Sequence, residues 1–436
     1  MPAPRTSARR RVGRAAACLV TLAAVLGVVR LALPADGPPA GVDRQLAFLR
    51  AALDDGAGER AQRQFPEGYF FLHALYGLSR VELGLREPAD QRAEALREAR
   101  WALGRLDAPA GRAPFDPGLT PAHGVFYRGW TNWLRGGVLS LQPAGSRDLA
   151  EVRRFADDSA ALAAAFGAAP SPFLAAYPGQ AWPVDSTVAV ASLRLHDALL
   201  PPRFAGTVAR WLAGVRQRLD PATGLLPHRV DVATGAVLDG ARGSSQAMIQ
   251  RFLADIDPGF AAGQYRTFRD RYVAVPLGLG PAVREYPHGV DGPGDVDSGP
   301  LLLGVSLSAT VVTVGAARVH GDARLAGALA RYGEVAGLPV DTPRTKRYAL
   351  GLVPIGDAFL AWSKTARPWV APTPAPPPAT LPAWWWAPLL GLLAAAGLAP
   401  WLPALARRAR RSRVDGQDQS NVMPRRSWRA ALWGAK

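Results

Sequence analysis
Along most of this chain apolar positions recur at the three- and four-residue spacing of helices, and convincing strand alternation is scarce. Breakers and caps divide the stretch between residues 42 and 365 into two kinds of helical segment. One kind is amphipathic and carries Arg and Glu on its outer positions: 42–53, 90–106, 147–166, 202–219, 258–272 and 322–336. The other is rich in small and aromatic residues and nearly free of charge: 66–85, 121–141, 183–199, 243–256, 297–319 and 356–365. The two kinds strictly alternate. Gln91-Arg92-Ala93-Glu94-Ala95-Leu96-Arg97-Glu98 reads as a solvated face, whereas Leu301-Leu302-Leu303-Gly304-Val305 reads as the start of a buried helix.

Six solvated and six buried helices in alternation predict an all-α fold, an (α/α)6 toroid in which an inner ring is wrapped by an outer one. Loops entering the inner helices would then line a central funnel at one mouth.

Two further apolar runs lie outside this region. Residues 15–33 follow a basic start, Arg5, Arg9-Arg10-Arg11 and Arg14, and contain the single cysteine, Cys18. Such a run is either a cleaved signal peptide or an uncleaved anchor; no clean A-x-A site follows, Leu33-Pro34-Ala35 being mediocre, which favours the anchor. Residues 384–405 are long enough to span a bilayer, with Trp384-Trp385-Trp386 on one side and Arg407-Arg408-Ala409-Arg410-Arg411 on the other. Basic flanks stay in the cytoplasm, so the expected layout is a cytoplasmic tail (1–14), an anchor (15–33), an extracytoplasmic domain (36–366), a Pro-rich linker (367–382), a second anchor (384–405) and a cytoplasmic tail (406–436). The partners expected are a lipid bilayer and a glycan or other small ligand in the funnel.

Charge supports that layout. Of the net +16, five belong to residues 1–14 and seven to residues 406–436, leaving four for everything between. The basic excess is therefore a topology signal, and no nucleic-acid partner is expected. The exported domain has no cysteine, which excludes disulfides and thiolate metal sites there. G-x-S-x-G, H-E-x-x-H, Walker A and G-x-G-x-x-G opening a βαβ unit are all missing, and no cofactor is expected.

Candidate chemistry sits in the loops before the inner helices. Glu67, before Tyr69, either complements the helix dipole or projects into the funnel. Trp130 and Trp133 share a helical face and suit either core packing or sugar stacking. Tyr177-Pro178-Gly179-Gln180-Ala181-Trp182-Pro183-Val184-Asp185 brings aromatics beside a carboxylate. Asp185 is either a helix cap or, desolvated, a general acid. His228 and Arg242 flank an excursion with Asp231 at a turn, and Gln246 follows at the next helix. Arg284-Glu285-Tyr286 precedes Asp295-Val296-Asp297, a poor calcium loop that lacks the remaining ligands; no metal is expected. Asp297 is expected to cap the following helix, leaving Asp295 spare.

The alternating pattern over residues 40–365 resembles the (α/α)6-barrel superfamily, which includes many glycoside hydrolases and the linalool dehydratase/isomerase type. The resemblance implies a membrane-tethered enzyme acting on an envelope carbohydrate or glycoconjugate by carboxylate acid/base catalysis. Asp185 would pair with Asp295 or Asp297, with Glu67 and Glu285 in reserve. Tyr69, Trp130, Trp133, Trp182 and Tyr286 would contact ligand, and Gln180, His228, Arg242 and Gln246 would hydrogen-bond it. Two alternatives remain: a lyase or isomerase on an apolar substrate, although the dehydratase type leans on cysteines that this domain lacks, and a non-catalytic envelope scaffold.

Overall fold
The computed structural model describes residues 5–32, 41–379 and 381–406. They fall into two units, a small one containing the two apolar helices and a large one spanning residues 31–388.

In the small unit, the helix Arg5–Ala32 continues the basic N-terminal stretch directly into the apolar run, and Ala387–Leu398 begins the second apolar helix. The spans 11–32 and 387–406 are long and apolar enough to cross a membrane. They touch through small residues: Gly27 lies against Leu393 and Ala24 against Gly397. Thr21 joins them, donating to the Gly397 carbonyl at 2.9 Å and accepting from the Trp401 indole at 2.8 Å. Residues 407–436 and the 33–35 cleavage candidate lie outside the described residues.

The large unit is mostly helical, and each of the twelve expected helices is found in it. The inner helices are Gly68–Gly84, Gly124–Ser140, Pro183–Leu199, Gly243–Ile256, Leu307–Val319 and Pro354–Thr365. Each packs on the next, and the sixth packs back on the first. The amphipathic helices, Val42–Asp54, Ala93–Asp107, Leu149–Ala168, Ala205–Arg216, Pro258–Tyr272 and Ala323–Ala336, the outer set expected from sequence, each pack against one or two of them. Inner helices two and three pack closely where Gly129 faces the Ala189 backbone and Gly136 faces Leu195. A Cβ at Gly129 would stand 3.0 Å from Ala189 N.

The fifth inner helix begins ten residues later than the sequence predicts. Gly299 and Gly304 adopt positive φ around Pro300, and the helix starts only where Ser306 accepts from the Ala309 N–H. Asp297 therefore does not cap it.

One end of the inner helices is filled by the chain itself. The Trp369 indole stacks on Trp133 at 4.5 Å, in space that Gly137 leaves free. Asp255 accepts from the N–H groups of Trp369, Val370 and Ala371 at 2.8–3.2 Å. Burial pushes the Asp255 carboxyl up to about 6 against the pull of these donors. Beside it, Glu82 is ion-paired with Arg251, whose guanidinium lies 3.8 Å over Trp362, and accepts from Thr365 at 2.6 Å. The first residues of the expected 367–382 linker are thus part of the folded domain, which corrects the reading of that whole run as a spacer.

Candidate functional site at the open end of the inner helices
The other end of the inner helices gathers the loops that precede them. Pro178 and Gly179 (φ 72°) make a tight turn that pairs Tyr177 with Gln180, and Ala181 then pairs with Val230 of the neighbouring hairpin. The turn directs the Tyr177 hydroxyl onto Glu67, to which it donates a hydrogen bond. Glu67 is the residue before the first inner helix, and no side-chain cap is formed there. Tyr177 carries its ring edge-on to Trp182 at 5.9 Å.

Asp185 lies in the first turn of the third inner helix, after Pro183. Its carboxyl makes no cap and no hydrogen bond among the described residues, and the residue is 5% exposed. Burial first, then the charges of Asp297 and Glu67, push its pKa well above the ordinary carboxylate range. Asp297 arrives from the loop before the fifth inner helix. Withdrawal from water, then Asp295 and Glu67, raise it to about 6. Asp297 as a residue stays open to solvent, which screens its neighbours; Asp185 is closed off and has the firmer grounds for holding a proton.

The roles expected for the two loop acids are exchanged. Asp295 accepts from the Ser298 N–H at 2.9 Å and is ion-paired with Arg242. Burial works to raise it but is outweighed by Ser298 and Arg242, so its pKa is lowered. Asp297, which makes no side-chain hydrogen bond among the described residues, is the spare carboxylate.

Arg242 is held by Asp295, by the Tyr286 hydroxyl at 2.5 Å and by Asp239 at 3.3 Å. Gly243, which leaves no room for a Cβ against Arg284, lets Glu285 accept from the Ser244 N–H and hydroxyl at 3.1 and 2.8 Å. Glu285 is fully buried there, and burial lifts it to about 7. It holds the start of the fourth inner helix. His228, buried against Ser245, is pushed down to about 4 by burial and then by Arg242. The excursion expected between His228 and Gly240 is a short hairpin, with Asp231 accepting from Thr234 at its turn.

Several candidates belong to the packing. Tyr69 lies on His73 and against Gly58 of a short outer helix. Trp130 is 1% exposed among Phe71, Phe252 and Trp362, and Trp133 is taken up by Phe252 and Trp369. These rings have no free face for a sugar in this structure. Gln246 is fully buried, donating to the Leu226 carbonyl at 2.6 Å. Gln180 and Trp182 do lie at the mouth, Gln180 exposed. Tyr177, which the sequence offers only as one aromatic of its loop, is a central member; the Pro-Gly turn that aims it was the available signal. Among the described residues no group of His, Cys, Asp or Glu is arranged to hold a metal ion. A surface hollow lined by Gly259, Phe260, Gly263, Thr267 and Asp270 runs along one outer helix and includes none of the carboxyls named above.

No family model matches the chain, and no curated protein matches it. The functional reading therefore rests on the site.

Proposed function
We propose that the chain is a membrane-tethered (α/α)6 toroid, with its main domain outside the cytoplasm, that hydrolyses a glycosidic bond in a carbohydrate or glycoconjugate of the cell envelope. The closed order of inner-helix contacts supports the toroid, and the basic flanks of both apolar segments support the topology. The observation that carries the reaction is Asp185, a buried acid with no side-chain hydrogen bond among the described residues, beside two other carboxyls.

In this reading Asp185 is the general acid. Its proton passes to the glycosidic oxygen as the bond to the anomeric carbon breaks. Asp297, solvent-accessible and ionised above about pH 6, takes a proton from the water that attacks that carbon. The remaining acids are engaged: Asp295 by Arg242, Glu285 by Ser244 and Glu67 by Tyr177. The lyase or isomerase alternative calls for a closed apolar pocket with one acid, and three neighbouring carboxyls, of which Asp297 is open to solvent, favour hydrolysis.

The test is reducing-end release from envelope glycans by the full chain in detergent. Wild type should release, and Asp185→Asn and Asp297→Asn should each lose ~100-fold or more. Glycan binding without release by wild type would instead favour the scaffold reading.

A further inference from the structure
Exposed large aliphatic residues are unevenly distributed over the large unit. Apart from Leu149 and Leu238, they all lie between Val275 and Val353, in the loops that precede the fifth and sixth inner helices or, for Leu307, at the first residue of the fifth. Three of these loops share one construction. Leu277-Gly278, Leu303-Gly304 and Leu350-Gly351 each hold both residues at positive φ, 52° and 72°, 54° and 75°, 58° and 83°. An aliphatic residue follows shortly in each case, Leu279, Val305 and Leu352. Turns of this kind normally take Asn-Gly, because Asn tolerates the left-handed region and leucine does not. Here the strained position holds leucine three times, with exposures of 79%, 58% and 58%.

The three turns occupy one sector. Val305 pairs with Arg284 beside the Val273–Val283 hairpin, Gly280 packs on Tyr332, and the Ala349 N–H bonds to the Gly337 carbonyl at the end of the same outer helix. Arg271 and Arg344 flank them, exposed and without an ion pair to a carboxylate among the described residues. Leucines raised singly on turn tips and bordered by free cations match the amphipathic chemistry of a lipid–water interface, where apolar tips enter the acyl boundary and arginines meet anionic headgroups.

We propose that the Leu277, Leu303 and Leu350 turns form a lipid-docking rim beside the acid-bearing mouth, seated on an anionic bilayer surface. This inference rests on the membrane reading given above and not on the catalytic one. It accounts for leucine where asparagine would relieve strain, and for the confinement of exposed aliphatics to one sector.

The experiment places an environment-sensitive fluorophore at Leu277→Cys, Leu303→Cys or Leu350→Cys in the full chain, on a Cys18→Ser background. The chain is reconstituted in vesicles of phosphatidylcholine and phosphatidylglycerol containing lipid-bound nitroxide. Rim labels should be blue-shifted and quenched about twofold or more relative to a Leu149→Cys label. A triple Leu277→Asn/Leu303→Asn/Leu350→Asn chain, carrying one label at Val353→Cys, should fold at least as stably and lose the quenching. Rim labels that stay as aqueous as Leu149 on an inserted chain overturn the docking. So does shielding that depends on protein-to-lipid ratio, which would indicate a second copy. Extraction of the chain from vesicles by carbonate would sink the tether reading and this docking together, leaving the catalytic test untouched.

Discussion
The Tyr177 hydroxyl donates to Glu67 across a separation of 110 residues, joining the loops that lead into the third and first inner helices. The Glu67 charge works against ionisation of both Asp185 and Asp297. Replacing Glu67 with Gln removes that charge. Both carboxyls should then ionise at lower pH, and both limbs of the pH–rate profile should move toward acid. A profile unchanged in Glu67→Gln would mean that the three acids do not communicate.

Asp185 gives a stability prediction with a definite sign. Its folded pKa lies above its unfolded value, so its contribution to stability is full below the unfolded value and is lost as pH rises through the folded one. Asn lacks that ionisation. Asp185→Asn should therefore match wild type near pH 4 and melt several degrees higher near pH 8, while losing activity. Melting curves at the two pH values check this; a mutant less stable at high pH would contradict a raised pKa.

Trp130 should behave as core. Trp130→Ala should cost ~3–5 kcal/mol by denaturant unfolding. Ligand affinity of the remaining folded fraction should be unchanged, because the ring lies among Phe71, Phe252 and Trp362. A stable mutant with selectively lost binding would return Trp130 to the ligand site.

The Trp369 plug offers an independent check. Trp369→Ala should destabilise the domain by about 3 kcal/mol. Gly137→Ala should also destabilise it, since a Cβ there would stand 2.7 Å from the indole. Either change should expose the 366–371 segment to proteolysis. Unaltered protease resistance in both would show that the plug contributes little.

How legible this was from sequence depends on the range of the interaction. The third and fourth inner helices begin where Pro183 and Gly243 say they should, because caps and breakers act locally. The fifth begins later than its pattern implies because the run 298–305 hides two positive-φ glycines, Gly299 and Gly304, that only the fold makes compulsory. Asp185 was visible as a carboxylate among aromatics, but its lack of a partner was not. Trp369 looked like part of a Pro-rich spacer, since the carboxylate that fastens it is Asp255, 114 residues earlier. The exchange of roles between Asp295 and Asp297 depends on Arg242, which a reading of the Asp-x-Asp loop alone does not reach.

The central claim is that Asp185 keeps its proton well above the ordinary carboxylate range, ready for transfer. Infrared titration of the detergent-solubilised full chain tests it without a known substrate. Glu285 and Asp357, each raised to about 7, keep protonated-carboxyl bands of their own at neutral pH, so the readout is the wild-type minus Asp185→Asn difference spectrum. The account predicts a protonated-carboxyl C=O band in that difference at pH 7, which disappears at lower pH on a Glu67→Gln background. A difference spectrum without that band at pH 7 would contradict it.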